Sequence, residues 1–208
     1  PFANIIAMVK EYRSLYDFYS DDLVGDYKRT IERLQKEQRA AIEQQFSSFG
    51  NVLYSELHDF LNHGHEWIAA YDESLASAHG LDFTDLICGV HRLFQDPVVR
   101  ERWRSRYSYI SVDEMQDTGV LEYKVLEMLW KGNHVLLCGD YFQTIYEWRG
   151  SDPFRLLKQF DADFKPLKII FYENYRSNWT LFTMAFKTLQ NMFPDLVGSI
   201  YTELPRAN

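Results

Sequence analysis

Two adjacent carboxylates, Asp113 and Glu114, close the apolar run Tyr109-Ile110-Ser111-Val112, and a further acid, Asp117, follows. Downstream, an apolar run ends in Gly139-Asp140 with Gln143 close behind, and another leads into Glu173-Asn174-Tyr175-Arg176. An apolar strand ending in Asp-Glu suits a nucleotide-hydrolysing site. The Asp holds a magnesium ion, usually through a water, and the Glu orients and deprotonates the attacking water. Buried acids are costly unless a cation offsets their charge, but at a strand tip they can face a shared crevice while the strand body stays dry. Two acids at a strand end also serve as a solvated turn or a helix cap, and Asp117 is a candidate N-cap for a helix starting near Gly119. On these residues alone both readings stand.

The elements that must position these groups follow from the hydrophobic pattern. "YSYISV" and "HVLLCGD" read as buried strands, short, apolar and rich in β-branched or aromatic residues. "VLEYKVLEMLW" between them has helical character and a length suited to a right-handed crossover, which makes a parallel βαβ unit. "LKIIFY" reads as a further strand and is followed by "ENYRSN" and a helix from Trp179 to Met192. In open parallel sheets, ligands lie beyond the carboxyl ends of the strands. All three polar clusters occupy such ends.

Residues 1–80 read as helical. Asp26 to Phe49 runs without Pro or Gly, with Ile31, Leu34, Ala41, Ile42 and Phe46 at roughly helical spacing, and Gly50 is a plausible stop. Shorter helices are expected at Leu53–Leu61 and Glu66–Ala78, and "IIAMVKEYRSLYDFY" is expected to bury its aromatic side. "LDFTDLICGVHRLFQD" is expected to be a helix with Asp82 as N-cap, closed by Asp96-Pro97, and "VVRERWRSR" a short basic helix after it.

Composition sets the bounds. With 208 residues, 46% of them hydrophobic and 16% aromatic, the chain can bury a core, which argues against global disorder. No run of about 18 apolar residues is present, so no membrane span is expected. Cys88 and Cys138 lie far apart without a CxxC spacing, which suits a reducing, cytoplasmic setting. The net charge of −8 means that any nucleic-acid binding must come from a local patch.

"VDEMQDT", "GDYFQTIYEWRGS" and "NYRS", in this order and with these gaps, resemble the UvrD/Rep-type superfamily 1 DNA helicases, and "DFTDL" at 82–86 fits the same pattern. The resemblance is dense from about Leu81 to Ser177 and thin before that. Met115 stands where an aromatic is common, and Glu173 where Gln is common. Neither departure removes a catalytic group. The resemblance implies an α/β fold: a partial P-loop NTPase (RecA-like) parallel sheet with a mostly helical N-terminal insertion region. Residues 1–80 would be the insertion-like subdomain, 81–166 the second half of the first motor domain, and 167–208 the start of the second.

The resemblance further implies ATP and Mg2+ as cofactors and single-stranded and duplex DNA as partners. Asp113 would be the magnesium ligand and Glu114 the general base. Gln143 would sense the γ-phosphate and couple it to DNA contacts. Tyr146, Trp148 and Arg149 belong to the motif in which an aromatic stacks on a base of single-stranded DNA. Tyr175 would pack near the adenine, and Arg176 would act as an arginine finger on the γ-phosphate.

A helicase of this type needs a phosphate-binding loop, G-x-x-x-x-G-K-[ST]. None of the ten glycines is followed by Lys-Ser or Lys-Thr. In the family this loop lies upstream, so the chain is expected to be a fragment that lacks it and most of the second motor domain, and to be inactive by itself. Two alternatives remain in view: a non-catalytic helicase-like interaction module, and a helicase-associated metal-dependent nuclease using the same acids. "RERWRSR" reads as a solvated connector in preference to a DNA-backbone contact. His58, His63 and His65 read as a solvated helix end and loop in preference to a metal site.

Overall fold

The computed structural model describes residues 2–48, 51–144, 153–200 and 206–207. The chain divides into two compact units, Pro1–Leu157 and Lys158–Asn208.

The first unit opens with helices α1 (Phe2–Leu15), α2 (Leu23–Glu37) and α3 (Arg39–Gln45). Asp22 caps α2 by accepting the Gly25 N–H at 2.9 Å. Tyr27, Ile31 and Leu34 then recur on one face of α2 and are buried. The expected single helix over 26–49 is broken at Gln38, whose φ of −135° leaves the helical region. Gln38 N–H ends α2 on Leu34 O, while its own carbonyl accepts from Ala41 and Ile42 to begin α3. The break re-aims the chain so that Ile42 and Phe46 enter the same core as Leu34. A small antiparallel hairpin follows, β1 (Ser47–Ser48) with β2 (Asn51–Val52).

Helix α4 (Tyr54–Ser77) runs unbroken where two helices separated around 62–65 are expected. Gly64 lies between the two expected helices and serves close packing. A Cβ on Gly64 would stand 2.6 Å from the ring of Phe60, one turn earlier and buried. Ile5, Val9, Tyr27, Leu34, Phe60 and Ile68 from α1, α2 and α4 form the centre of this core.

Helix α5 (Phe83–Leu93) starts as expected at Asp82, in a reciprocal capping box. Asp82 accepts the Asp85 N–H at 2.8 Å, and Asp85 accepts the Asp82 N–H at 3.0 Å. Both carboxylates also reach back to Lys10 of α1, which is buried. Helix α6 (Pro97–Arg104) begins at Asp96, which caps Val98 N–H.

Strand β3 (Tyr109–Val112), helix α7 (Val120–Trp130) and strand β4 (His134–Leu137) form the expected parallel βαβ unit, paired Tyr109 to His134 through Val112 to Leu137. The strands are not buried on both faces as expected. Exposure alternates along each, leaving Tyr109 77% and Leu136 57% exposed. Helix α7 is capped by Glu122, which accepts the Gly119 N–H at 2.8 Å, so Asp117 is not its N-cap. Helix α8 (Pro153–Phe164) follows.

The second unit contains β5 (Glu173–Asn174), α9 (Trp179–Met192), α10 (Pro194–Ile200) and β6 (Arg206–Ala207), with β5 and β6 parallel. The run 167–172 is not the expected strand. It has no regular structure, and Leu167, Ile169 and Phe171 are exposed. A strand exists only where a neighbour completes its hydrogen-bond ladder, and the described ladder takes in only Glu173 and Asn174. Among the described residues no helix is long and apolar enough to cross a membrane.

Candidate nucleotide site at the strand tips

The ladder between β3 and β4 continues past both strand ends. Cys138 N–H donates to Val112 O at 2.8 Å, and Met115 N–H donates to Cys138 O at 2.9 Å. These bonds hold the turn after β3 beside the turn after β4. Between them Glu114 sits in the left-handed region, with φ +52° and ψ 41°. That conformation is uncommon for a residue with a side chain. It drops the chain at once into a short 3-10 turn, Met115–Asp117, so that Met115 and Gln116 are buried while Asp113 and Glu114 stay exposed. This is how an apolar strand can end in two acids without burying them.

Each acid is held differently. Asp113 Oδ1 accepts the Glu114 N–H at 2.9 Å, and Asp113 Oδ2 makes no hydrogen bond or ion pair among the described residues. Glu114 Oε2 accepts from Gln116 Nε2 at 2.6 Å. Gln116 Oε1 in turn accepts the Asp140 N–H at 3.0 Å. Asp140 then organises the second turn: its Oδ1 accepts Phe142 N–H at 3.0 Å and its Oδ2 accepts Gln143 Nε2 at 2.9 Å. Tyr141 of this turn stacks on Phe154, ring centres 4.9 Å apart.

The structure therefore brings Asp113, Glu114 and Gln143 to neighbouring turns of one sheet edge. It adds Gln116 and Asp140 as the groups that join them. Gln116 does not stand out in the sequence as a site residue. Its only mark in the sequence is an amide between Met115 and Asp117, directly after the two acids.

The donor chemistry suits magnesium. The ion takes hard oxygen ligands and keeps several waters, so one carboxylate oxygen with substrate phosphates suffices. Asp113 Oδ2 is such an oxygen. Among the described residues, no group of three or more His, Cys, Asp or Glu side chains is placed to hold a metal. His58 bonds Asn62 on the solvent side of α4, and His63 lies 3.7 Å from Glu66.

Tyr175 and Arg176 lie in the second unit. Asn174 Oδ1 accepts the N–H groups of Arg176 and Ser177 at 2.8 and 3.0 Å, which curls the chain into a tight turn before Asn178 caps α9. Tyr175 Oη donates to the Glu173 carboxylate, and that bond raises the phenol pKa. The Arg176 guanidinium is exposed and makes no hydrogen bond or ion pair among the described residues. Tyr146, Trp148 and Arg149 lie outside the described residues.

The basic stretch is largely committed to the protein itself. Arg100 donates to Phe94 O at 2.8 Å, Arg104 pairs with Glu101, and Arg106 lies over the Trp103 ring.

Residues 5–165 match the family described as the UvrD/REP helicase N-terminal domain. The chain belongs to that family. The match begins at residue 5, so the helical region before the motifs is part of it, although the motifs themselves are sparse there. DNA helicase II of Haemophilus influenzae is 34% identical over 143 residues, covering 66% of this chain and 20% of that protein. ATP-dependent DNA helicase Rep of Buchnera aphidicola is 38% identical over 143 residues, covering 66% and 22%. ATP-dependent DNA helicase PcrA of Staphylococcus aureus is 36% identical over 126 residues, covering 59% and 17%. The chain thus spans about a fifth of the length of these UvrD/REP relatives.

Proposed function

We propose that this chain is part of an ATP-driven DNA helicase or translocase, and that the paired turns beyond β3 and β4 are half of its nucleotide site. One observation carries this reading: in a chain of the UvrD/REP family, Glu114, next to Asp113, is joined through Gln116 to the Asp140–Gln143 turn by hydrogen bonds. On this reading residues 1–80 are an insertion-like subdomain, 81–166 complete the first RecA-like motor domain, and 167–208 open the second.

The roles follow from the chemistry each group can do. Asp113 offers Oδ2 to the metal of a bound Mg-ATP. Magnesium, when bound, supplies positive charge against the phosphates. Glu114 orients a water against the γ-phosphorus and takes its proton. Gln143 meets the γ-phosphate from the neighbouring turn. Tyr175 packs near the adenine, and Arg176, whose guanidinium has no partner among the described residues, is available to the γ-phosphate as an arginine finger. Tyr146, Trp148 and Arg149 contact single-stranded DNA, by base stacking and by charge. A phosphate-binding loop supplied in cis by further chain completes the site. The interaction-module and nuclease alternatives are not favoured in a chain of a helicase family.

The test is magnesium-dependent ATP hydrolysis, with and without single-stranded DNA, by this chain and by the full-length protein that carries it. The full-length protein should be stimulated by DNA, and Glu114→Gln should lower its kcat by about 10²–10⁴-fold, the range for losing a general base. The chain alone should turn over no ATP. Turnover by the chain that survives Glu114→Gln would overturn the reading.

A further inference from the structure

We propose that Gln116 is a positioning residue whose single amide ties the Glu114 carboxylate to the Asp140–Gln143 turn, so that base and γ-phosphate contact are held as one unit. The proposal rests on the reading of Glu114 as the base.

Gln116 is 2% exposed, and an amide buried to that degree must have its hydrogen bonds met within the protein. It uses both ends of its amide at once. Nε2 donates to Glu114 Oε2 at 2.6 Å, and Oε1 accepts the Asp140 N–H at 3.0 Å. The path continues through Asp140 Oδ2 to Gln143 Nε2 at 2.9 Å. A continuous hydrogen-bonded chain thus runs Glu114, Gln116, Asp140, Gln143. The Glu114 carboxylate makes no other hydrogen bond or ion pair among the described residues, so this amide is what fixes its direction. A Glu at 116 could accept from Asp140 but not donate, a Met could do neither, and an Asn is a methylene too short to reach both. A cation there would donate, but it would also neutralise the charge a base needs.

Gly139 supports the same geometry. A Cβ at position 139 would stand 2.6 Å from Gln116 Oε1 and 3.2 Å from Met115 N. The missing side chain is the gap through which the amide crosses from one turn to the other. Its φ is not in the left-handed region, so the demand is for space.

Two variants of the full-length protein test this, each with a structural and a kinetic readout. Gln116→Met is near in volume and apolar, and Gln116→Glu keeps the acceptor for Asp140 N–H but loses the donor to Glu114. In the nucleotide-free protein, the Asp140 amide should exchange hydrogen at least about tenfold faster in Gln116→Met and stay protected in Gln116→Glu. Both should lower kcat for ATP at least about tenfold with KM within about twofold, because orientation is lost and not binding. Unchanged Asp140 exchange in Gln116→Met would show that the contact is not made. Near wild-type kcat in Gln116→Glu would show that Gln116 only braces the turn. Either result overturns the proposal. Glu114→Gln separates it from the reading beneath it: full activity in that variant removes the base itself, whereas loss there with none at 116 removes only the bridge.

Discussion

Lys10 and Asp82, 72 positions apart in the chain, meet at 2.8 Å. The same ammonium pairs with Asp72 at 2.9 Å and Asp85 at 2.5 Å, so one buried cation gathers α1, α4 and the start of α5. Burial works against its charge, but its bonds to Asp82, Asp85 and Asp72 outweigh burial and raise its pKa. The "DFTDL" acids thus serve the first helix as well as their own cap.

Replacing Lys10 by Met should be strongly destabilising, because it leaves three carboxylates clustered with no cation. Breaking a buried pair costs roughly 3–5 kcal/mol, and since each aspartate keeps about a fifth of its surface in water we expect about 3 kcal/mol. The urea midpoint should fall with an unchanged slope.

Asp26 predicts an acid sensitivity. It is fully buried, which works against its charge, but Ser20, Arg29 and Arg13 surround it with donors and lower its pKa. A carboxylate with a folded pKa below its unfolded value of about 3.9 contributes fully above that value and loses the contribution as pH falls through the folded one. Asp26→Asn should therefore cost about 2–3 kcal/mol at pH 7, and the gap to wild type should narrow steadily below about pH 4. Urea midpoints of both proteins between pH 7 and pH 2 would measure it.

Gly64→Ala sets two effects in opposition. Mid-helix Ala is worth about 1 kcal/mol over Gly, while overpacking costs about 1–3 kcal/mol. The Phe60 ring is 1% exposed and packs 5.2 Å from Phe46, so it has little room to yield. Net destabilisation of about 1 kcal/mol should appear as a lower Tm. A raised Tm would mean that the ring moves aside easily.

Arg176→Lys tests the proposed finger. Lysine keeps the charge but loses the planar fork, so the full-length protein should lose about 10³-fold in DNA-stimulated kcat, the scale of finger contributions. Nucleotide affinity, followed with a fluorescent ATP analogue, should change far less.

Some of this was legible in residue types alone. Asp82 as a cap, the two strands flanking α7 and the span of α9 depend on local signals: a capping acid, a short β-branched run, an uninterrupted helical pattern. The motifs around Asp113-Glu114, Gln143 and Arg176 carried the resemblance through the order and spacing of their chemistry, and the family match over 5–165 takes in the first two.

Tertiary structure decided the rest, because the deciding forces act between residues distant in sequence or depend on burial. Gln38 breaks a helix that local propensity would continue, since Ile42 and Phe46 gain more by entering the core than by extending α2. Gly64 stays within a helix that local propensity would end, because Phe60 fills the space beside it. The apolar 167–172 forms no strand, since its own side chains cannot supply a ladder. Gln116 became visible only when the turns after β3 and β4 lay side by side, 24 positions apart in sequence, and one amide could span them.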